Sequence, residues 1–371
     1  MKIKKDKTVS DISTISESRL ILMRFKKHKL AVFSFWVLVV MYTMAVFAPF
    51  ISPYDPVRRD AAYRLIPPTK LHFNYNGKFN LLPAVYPIIT ELDRTTYKTI
   101  ITEDKNSPPY RIRFFVKGDE YSFFGIKMNR HLFGTGKEGV KILLLGSDDL
   151  GRDMFSRILY GSQVSLSIGL IGVALSIFLG LLIGGIAGYF GGFADNVIQR
   201  IIEFIMCIPT IPLWMCLAAA FPTNWPMLKT YFAITVILSL VGWTNLARVV
   251  RGKFLSLRNE DYILAAQAAG RSPLQIIFVH LVPSFTSHII ASASMAIPGM
   301  ILGETSLSFL GIGLQAPAVS WGVLLRNAQN LQTVALAPWL LLPGLFVVIA
   351  VLTFNFLGDG IRDAADPYSG L

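Results

Sequence analysis

The feature that most constrains this chain is a succession of long runs without a formal charge. Leu30 to Ile51 is one such run. It is long enough to cross a bilayer as a helix and longer than the apolar core of a signal peptide. Gly161 to Ala194 is a second. Apolar stretches at about Val197–Phe221, Thr230–Val249, Ser284–Leu302 and Val334–Phe356 complete a set of six. A backbone inside hydrocarbon must satisfy its own polar groups, so these runs predict helices. Composition agrees: 53% of residues are hydrophobic, 16% charged, and the mean hydropathy is +0.52. A soluble domain is typically about a quarter charged. The net charge of +12 does not point to nucleic acid, because no basic groove interleaved with aromatics stands out. The basic residues flank the spans instead. Nine of them lie between Lys2 and Lys29, and Arg248, Arg251, Lys253 and Arg258 follow the fourth span. The bias of Lys and Arg toward the cytoplasm then places both termini inside.

The expected organisation is a cytoplasmic tail (1–29), a first span (30–51), an extracytoplasmic domain with the approach to span two (52–160), a core of spans two to six (161–358) and a cytoplasmic tail (359–371). The fold class is an all-α polytopic membrane protein of six transmembrane helices, with a small β or α/β domain inserted after the first. Within that insertion Arg111 to Phe124 reads as two strands around Lys117-Gly118-Asp119. Gly180, Gly184 and Gly188 recur every four residues, a small-residue face for close helix packing. Pro209 and Pro212 predict a kink in span three, and Arg200 with Glu203 a local ion pair near its start. Cys207 and Cys216, nine residues apart, face opposite sides of a continuous helix and form neither a disulfide nor a metal pair. The histidines show no ligand spacing.

Asn259 to Ser284 differs from everything around it. It reads as two short helices joined by a glycine and set between spans four and five. Asn259 is placed to cap the first helix, with Glu260 and Asp261 at its positive end. Gly270 fits the left-handed position that ends it. Ser272 caps the second helix, Pro273 takes its first position, and Pro283 marks the passage into span five. Ala265, Ala266, Ala268 and Ala269 keep the first helix thin. A thin, partly apolar helix outside the membrane suggests a docking element.

That stretch resembles the EAA loop of binding-protein-dependent ABC importer permeases, with Ala265, Ala266, Gly270 and Pro283 in register. Leu264 stands where the pattern has Glu, so a salt bridge from that position is absent and docking leans on shape. Leu145-Gly-Ser-Asp-Asp-Leu-Gly-Arg-Asp153, Glu304-Thr-Ser-Leu-Ser-Phe-Leu-Gly-Ile-Gly313, Ser320-Trp-Gly322 and Phe356-Leu-Gly-Asp-Gly-Ile-Arg-Asp-Ala-Ala-Asp-Pro367 are similar to the dipeptide/oligopeptide/nickel permeases, second subunit (OppC/DppC type). The resemblance implies a type I importer permease in a bacterial inner membrane. It implies a coupling loop at 250–283 in which Asp261, Tyr262, Ala265, Ala266, Gly270 and Pro283 meet an ATPase. The implied partners are a second permease (OppB/DppB type), two ABC ATPases and an extracytoplasmic binding protein, with the lipid bilayer around them and no nucleic acid. ATP and Mg belong to the ATPases. This chain holds no cofactor or metal and is not itself an enzyme, since it lacks a Gly-x-x-x-x-Gly-Lys-Ser/Thr loop.

Asp149, Gly151, Arg152 and Asp153 lead into span two and read as an anchor for its N-terminus. Glu304, with Ser308 beside it, is a candidate for lining the vestibule. Glu304 could equally pair with Arg326 or cap the Ser306–Leu310 turn. Competing classes fare worse. A secondary transporter or channel wants ionisable groups deep in several spans. A membrane-anchored enzyme wants a nucleophile–base set or metal spacing in the insertion, and neither is legible. Within the family the alternative is a permease for nickel or another small solute.

Overall fold

A computed structural model describes residues 17–75, 77–92, 99–137, 139–222 and 224–365. Most of the basic N-terminal tail and the last six residues lie outside them. The chain begins with α1 (Glu17–Lys27) and α2 (Lys29–Val46), where His28 Nδ1 accepts the Ala31 amide at 3.1 Å. A turn at Phe47 leads into the short α3 (Ala48–Ile51). Among its described residues the insertion follows as seven strands: β1 (His72–Tyr75), β2 (Lys78–Val85), β3 (Ile88–Leu92), β4 (Thr99–Glu103), β5 (Tyr110–Arg111), β6 (Arg113–Phe123) and β7 (Ile126–Gly134). They pair antiparallel as β1-β2-β5, β3-β4 and β6-β7.

The expected turn at Lys117–Asp119 is not there. β6 runs through it with a bulge, and the reversal occurs at Phe124-Gly125, with φ of +48° and +84°. Two successive positive φ values make the two-residue turn that suits the twist of a hairpin. Gly118 has a different cause: a Cβ there would come within 2.5 Å of the His131 ring. His131 in turn bonds the Ser52 and Asp119 carbonyls, tying the hairpin to the end of α3.

The helical part continues with α4 (Met154–Phe190), α5 (Gly192–Cys207), α6 (Thr210–Ala219), α7 (Met227–Leu257) and α8 (Asp261–Ala268). Then come α9 (Pro273–Gln275), a wide π turn (Ile276–Leu281), a tight 3-10 turn (Val282–Phe285), α10 (Thr286–Phe309), α11 (Trp321–Arg326), α12 (Leu331–Leu336) and α13 (Leu342–Ala365). Among the described residues, five stretches are long and apolar enough to cross a membrane: α2, α4, α7, Pro273–Phe309 and Pro338–Ala365. The α5–α6 pair makes a sixth if taken as one broken span. The proline pair thus produces more than a kink: α5 and α6 meet at 88°. Pro209 has no amide to continue the ladder. Cys207 and Cys216 therefore sit on different helices, both exposed. The last span starts later than the sequence suggests, because Pro338 breaks the chain after α12. It also runs on through Arg362 to Ala365.

The glycine face packs as expected. A Cβ on Gly184 would lie 2.5 Å from the Ala247 carbonyl oxygen, and one on Gly188 would lie 2.6 Å from Phe254 Cβ. α4 and α7 therefore touch backbone to backbone. Ser239 Oγ donates across the seam to the Gly172 carbonyl at 3.0 Å. The main core joins α2, α4, α7, α10 and α13 through Leu38, Leu166, Ile234, Leu238, Ile301 and Phe354. Arg200 and Glu203 pair at 2.7 Å on an exposed face of α5.

Candidate functional site

The stretch between α7 and α10 has the two-helix form read from its sequence, with one shift at the start. Asn259 is not the cap. Glu260 occupies that position with extended backbone and makes no side-chain cap bond, while Asp261 stands in the first turn. The end of α8 is a full Schellman cap. Gly270 has φ of +74°, its amide donates to the Gln267 carbonyl (2.9 Å), and the Arg271 amide donates to the Ala266 carbonyl (3.2 Å). Ser272 and Gln275 then form a reciprocal capping box with Pro273 at the first position. Pro283 lies exposed in the 3-10 turn before α10.

The two sides of α8 differ. Ile263 and Ala266 turn inward onto one core with Leu246, Val250 and Phe254 of α7, and with Ile276, Ile277, Leu281, Phe285 and Ile289 beyond the glycine. Ala266 is therefore buried, although it matches the motif. Asp261, Tyr262, Leu264, Ala265 and Ala268 are exposed. α4 joins this core from the side, where Gly185 lets Ile277 and Phe254 approach. An ion pair that the sequence did not announce braces it: Arg251 of α7 grips both carboxylate oxygens of Asp195 in α5. Docking on the exposed side would thus load α7 and α10 together.

The approach to α4 is a buried polar knot. Asp148 is fully buried and accepts the Leu150 and Arg152 amides at 2.9 Å each and Arg152 Nε at 2.7 Å. Arg157 Nε stands 3.6 Å from the same carboxylate, and its Nη1 donates to the Pro56 carbonyl at 3.1 Å. Gly151 has φ of +74° and packs on Asp60, whose carbonyl oxygen would lie 1.8 Å from any Cβ. Asp153 caps α4 through the Ser156 amide and hydroxyl at 2.8 and 2.6 Å. Burial pushes its carboxyl up to about 6, against the lowering by those bonds. Asp149 accepts from Asn327 Nδ2 at 2.9 Å. Asp149, Gly151, Arg152 and Asp153 each have a structural partner.

Glu304 and Ser308 do not line an open surface in this chain. Both are completely buried. The carboxylate collects three hydroxyls: Ser320 at 2.6 Å, Ser308 at 2.8 Å and Ser165 at 3.0 Å. Each serine oxygen in turn accepts a backbone amide, from Val323, Leu314 and Trp321 respectively. Arg326 is elsewhere, against Gly311. The knot fastens the C-terminal part of α10 to α4 and to the Ser320-Trp321-Gly322 wedge, where a Cβ on Gly322 would lie 2.7 Å from the Thr305 carbonyl oxygen.

Comparison with known proteins follows from these elements. The model of a family described as binding-protein-dependent transport system inner membrane component matches residues 180–368. A second, described as the N-terminal TM domain of oligopeptide transport permease C, matches residues 16–68. The dipeptide transport system permease protein DppC of Bacillus subtilis (strain 168) is 31% identical, over 93% of this chain and 83% of its own length. The oligopeptide transport system permease protein OppC of the same strain is 29% identical, over 93% and 88%. The OppC of Haemophilus influenzae is 38% identical, over 60% and 69%. Among solved structures, an inward-facing MetNI methionine ABC transporter gives a TM-score of 0.43 at 18% identity, over 57% of this chain and 98% of that one. That likeness is too slight to add to the fold.

Proposed function

Because the chain belongs to the family of binding-protein-dependent transport system inner membrane components, we propose that it is the permease subunit of an ATP-driven importer of oligopeptides or dipeptides. In this reading it forms half of the translocation pathway beside a homologous second permease. Two ATPase subunits bind ATP and Mg on the cytoplasmic side, where α8 lies and where both termini end. The strand-rich insertion stands on the other side, where a binding protein delivers peptide. The unit from 161 to 358 is the working core, and 250–283 the coupling loop. The chain itself performs no chemistry.

The observation that carries this reading is the split character of α8. One side is fused into a core shared with α7 and α10, and the other offers Asp261, Tyr262, Leu264 and Ala265 to a partner. Leu264 and Ala265 favour an apolar socket, and Asp261 is the nearest carboxylate for a basic rim. Peptide supplied outside is captured, and closure of the ATPases pushes α8 as a body. α7 and α10 move because they share its core.

The test is uptake of a labelled tripeptide into membrane vesicles containing the whole complex. Ala265→Arg places a long charged chain on the exposed face without touching the core. The expected result is loss of ATPase co-purification and of uptake, with the permease still folded. Undiminished uptake by Ala265→Arg would remove α8 as the docking element. Absence of uptake of any peptide by the unaltered complex would remove the substrate class.

A further inference from the structure

The β6–β7 hairpin ends in an apolar tip. Tyr121-Ser-Phe-Phe-Gly-Ile126 carries no charge between Glu120 and Lys127. Phe124 is 83% exposed and Ile126 67% exposed. A two-residue turn of this conformation ordinarily takes Asn or Asp before Gly. A phenylalanine held at positive φ and open to water gains nothing for the hairpin itself.

The direction of the hairpin explains what the tip meets. Nearer its base, Phe115 packs on Phe50 of α3 at 6.1 Å between ring centroids. Nearer its tip, Phe123 stacks on Phe47, at the end of α2, at 5.6 Å. The hairpin therefore runs back along the chain, from the insertion toward the span. A cleft of about 690 Å³ separates the tip from the helices. Phe123 and Phe124 form one wall of it, and Tyr42, Leu166 and Leu170 form the other. Tyr42 lies four residues inside the end of α2, about 6 Å along a helix. Leu166 and Leu170 belong to the charge-free part of α4. The cleft thus joins the tip to the last turns of α2 and to the charge-free part of α4.

We propose that this tip is immersed in the phospholipid leaflet on the side of the insertion. Val46 of α2, Phe47 just beyond it, and Leu170 and Ile171 of α4 are exposed apolar residues, as Phe124 and Ile126 are. Spans of this length and hydropathy meet lipid wherever no partner covers them, and the tip lies beside them. The flanking chemistry fits. Tyr121 brings a phenol to the depth where aromatic belts lie, and Lys127 and Arg130 follow on β7, exposed at the level of phosphate headgroups. The hairpin then fixes the height of the insertion over the bilayer, independently of what is transported.

The test uses the full-length chain with its co-purifying subunits in nanodiscs of phosphatidylethanolamine and phosphatidylglycerol. Cys207 and Cys216 are first replaced by serine. A nitroxide is attached through Phe124→Cys, through Ile126→Cys as a second tip position, and through Arg113→Cys at the base. Collision with oxygen, which concentrates in lipid, is compared with collision by a water-soluble nickel chelate. The expected result is a tip reached more by oxygen than by chelate, and a base with the opposite order. A tip as open to the chelate as the base overturns the proposal in favour of water. A tip shielded from both overturns it in favour of a protein partner.

Discussion

Gly270→Val isolates the backbone geometry of the loop proposed to couple to the ATPases. Gly270 has φ of +74°, and a Cβ there would meet no atom within 4 Å. The substitution therefore creates no clash, and its whole effect is conformational. An L-residue in the left-handed region costs about 1–2 kcal/mol, and a β-branched one lies at the upper end. A loss of about 2 kcal/mol lowers the capped population relative to the uncapped one by about thirtyfold. Uncapping frees the Ala266 and Gln267 carbonyls and misdirects the chain before the Ser272 box. Ile263 and Ala266 then lose their fixed seat on the α7–α10 core. The expected outcome is a permease that still inserts and melts normally, with ATPase co-purification and peptide uptake reduced by up to about thirtyfold. Gly270→Asn should retain much of both, because Asn tolerates this region. The measurement is co-purified ATPase per permease, with uptake in the same vesicles. If Gly270→Val matches the unaltered complex in both, the cap does not hold the docking geometry.

Two further outcomes follow from the buried groups. Glu304→Ala should remove about 3–5 kcal/mol, because three buried hydroxyls lose their acceptor at about 1–3 kcal/mol each, partly offset by relaxation. Glu304→Gln, which keeps one oxygen, should be milder. Melting followed by size-exclusion in detergent reads the difference, and equal stability of Ala and Glu refutes the knot. Asp153, raised from 3.8 to about 6 by burial, is a group whose protonated form suits the folded state. Its stabilising effect is complete below pH 4 and is lost as pH rises through 6, by at most about 3 kcal/mol. Asp153→Asn keeps a capping side chain and should flatten that part of the melting-versus-pH curve.

The spans were legible because a charge-free run has one solution in hydrocarbon. α2, α4, α7 and α10 accordingly overlap the runs the sequence marks, with ends that differ by up to eight residues. The caps at Gly270, Ser272 and Pro273 were legible because each residue type answers one local need. What the sequence hid is long-range. Ser165 lies 139 residues from Glu304, and in an apolar run it reads as packing filler. Asp148 and Arg157, nine residues apart, show no sign in the sequence that the fold buries them together. The hairpin was misplaced because a glycine was read as a turn signal, whereas Gly118 makes room for His131. The true turn places a phenylalanine where propensity forbids it, and lipid is the reason proposed for that exception. The alanine motif lies on one helix but does not tell its facing, since Ala265 and Ala266 are adjacent and one is exposed and the other buried.

The coupling reading also limits where α10 can yield. Its lower end cannot absorb a push from α8, because the π and 3-10 turns keep Ile276, Ile277, Leu281 and Phe285 in the shared core. Its outer end is held by the Glu304 knot to α4 and the Trp321 wedge. Between these clamps stand Pro298, which lacks the amide for its helical bond, and Gly299, around which a side chain would meet nothing. That segment faces a cleft of about 440 Å³ shared with Met206 and Thr210 beside the α5–α6 break, and with Asn245 of α7. Irregular backbone is tolerated at membrane depth where it is covered by protein or lines water. The weak point of α10 and the break in the α5–α6 pair thus border the same space. A rigid displacement of α8 would therefore be expressed in that cleft, far from the docking face and without any change in the loop itself.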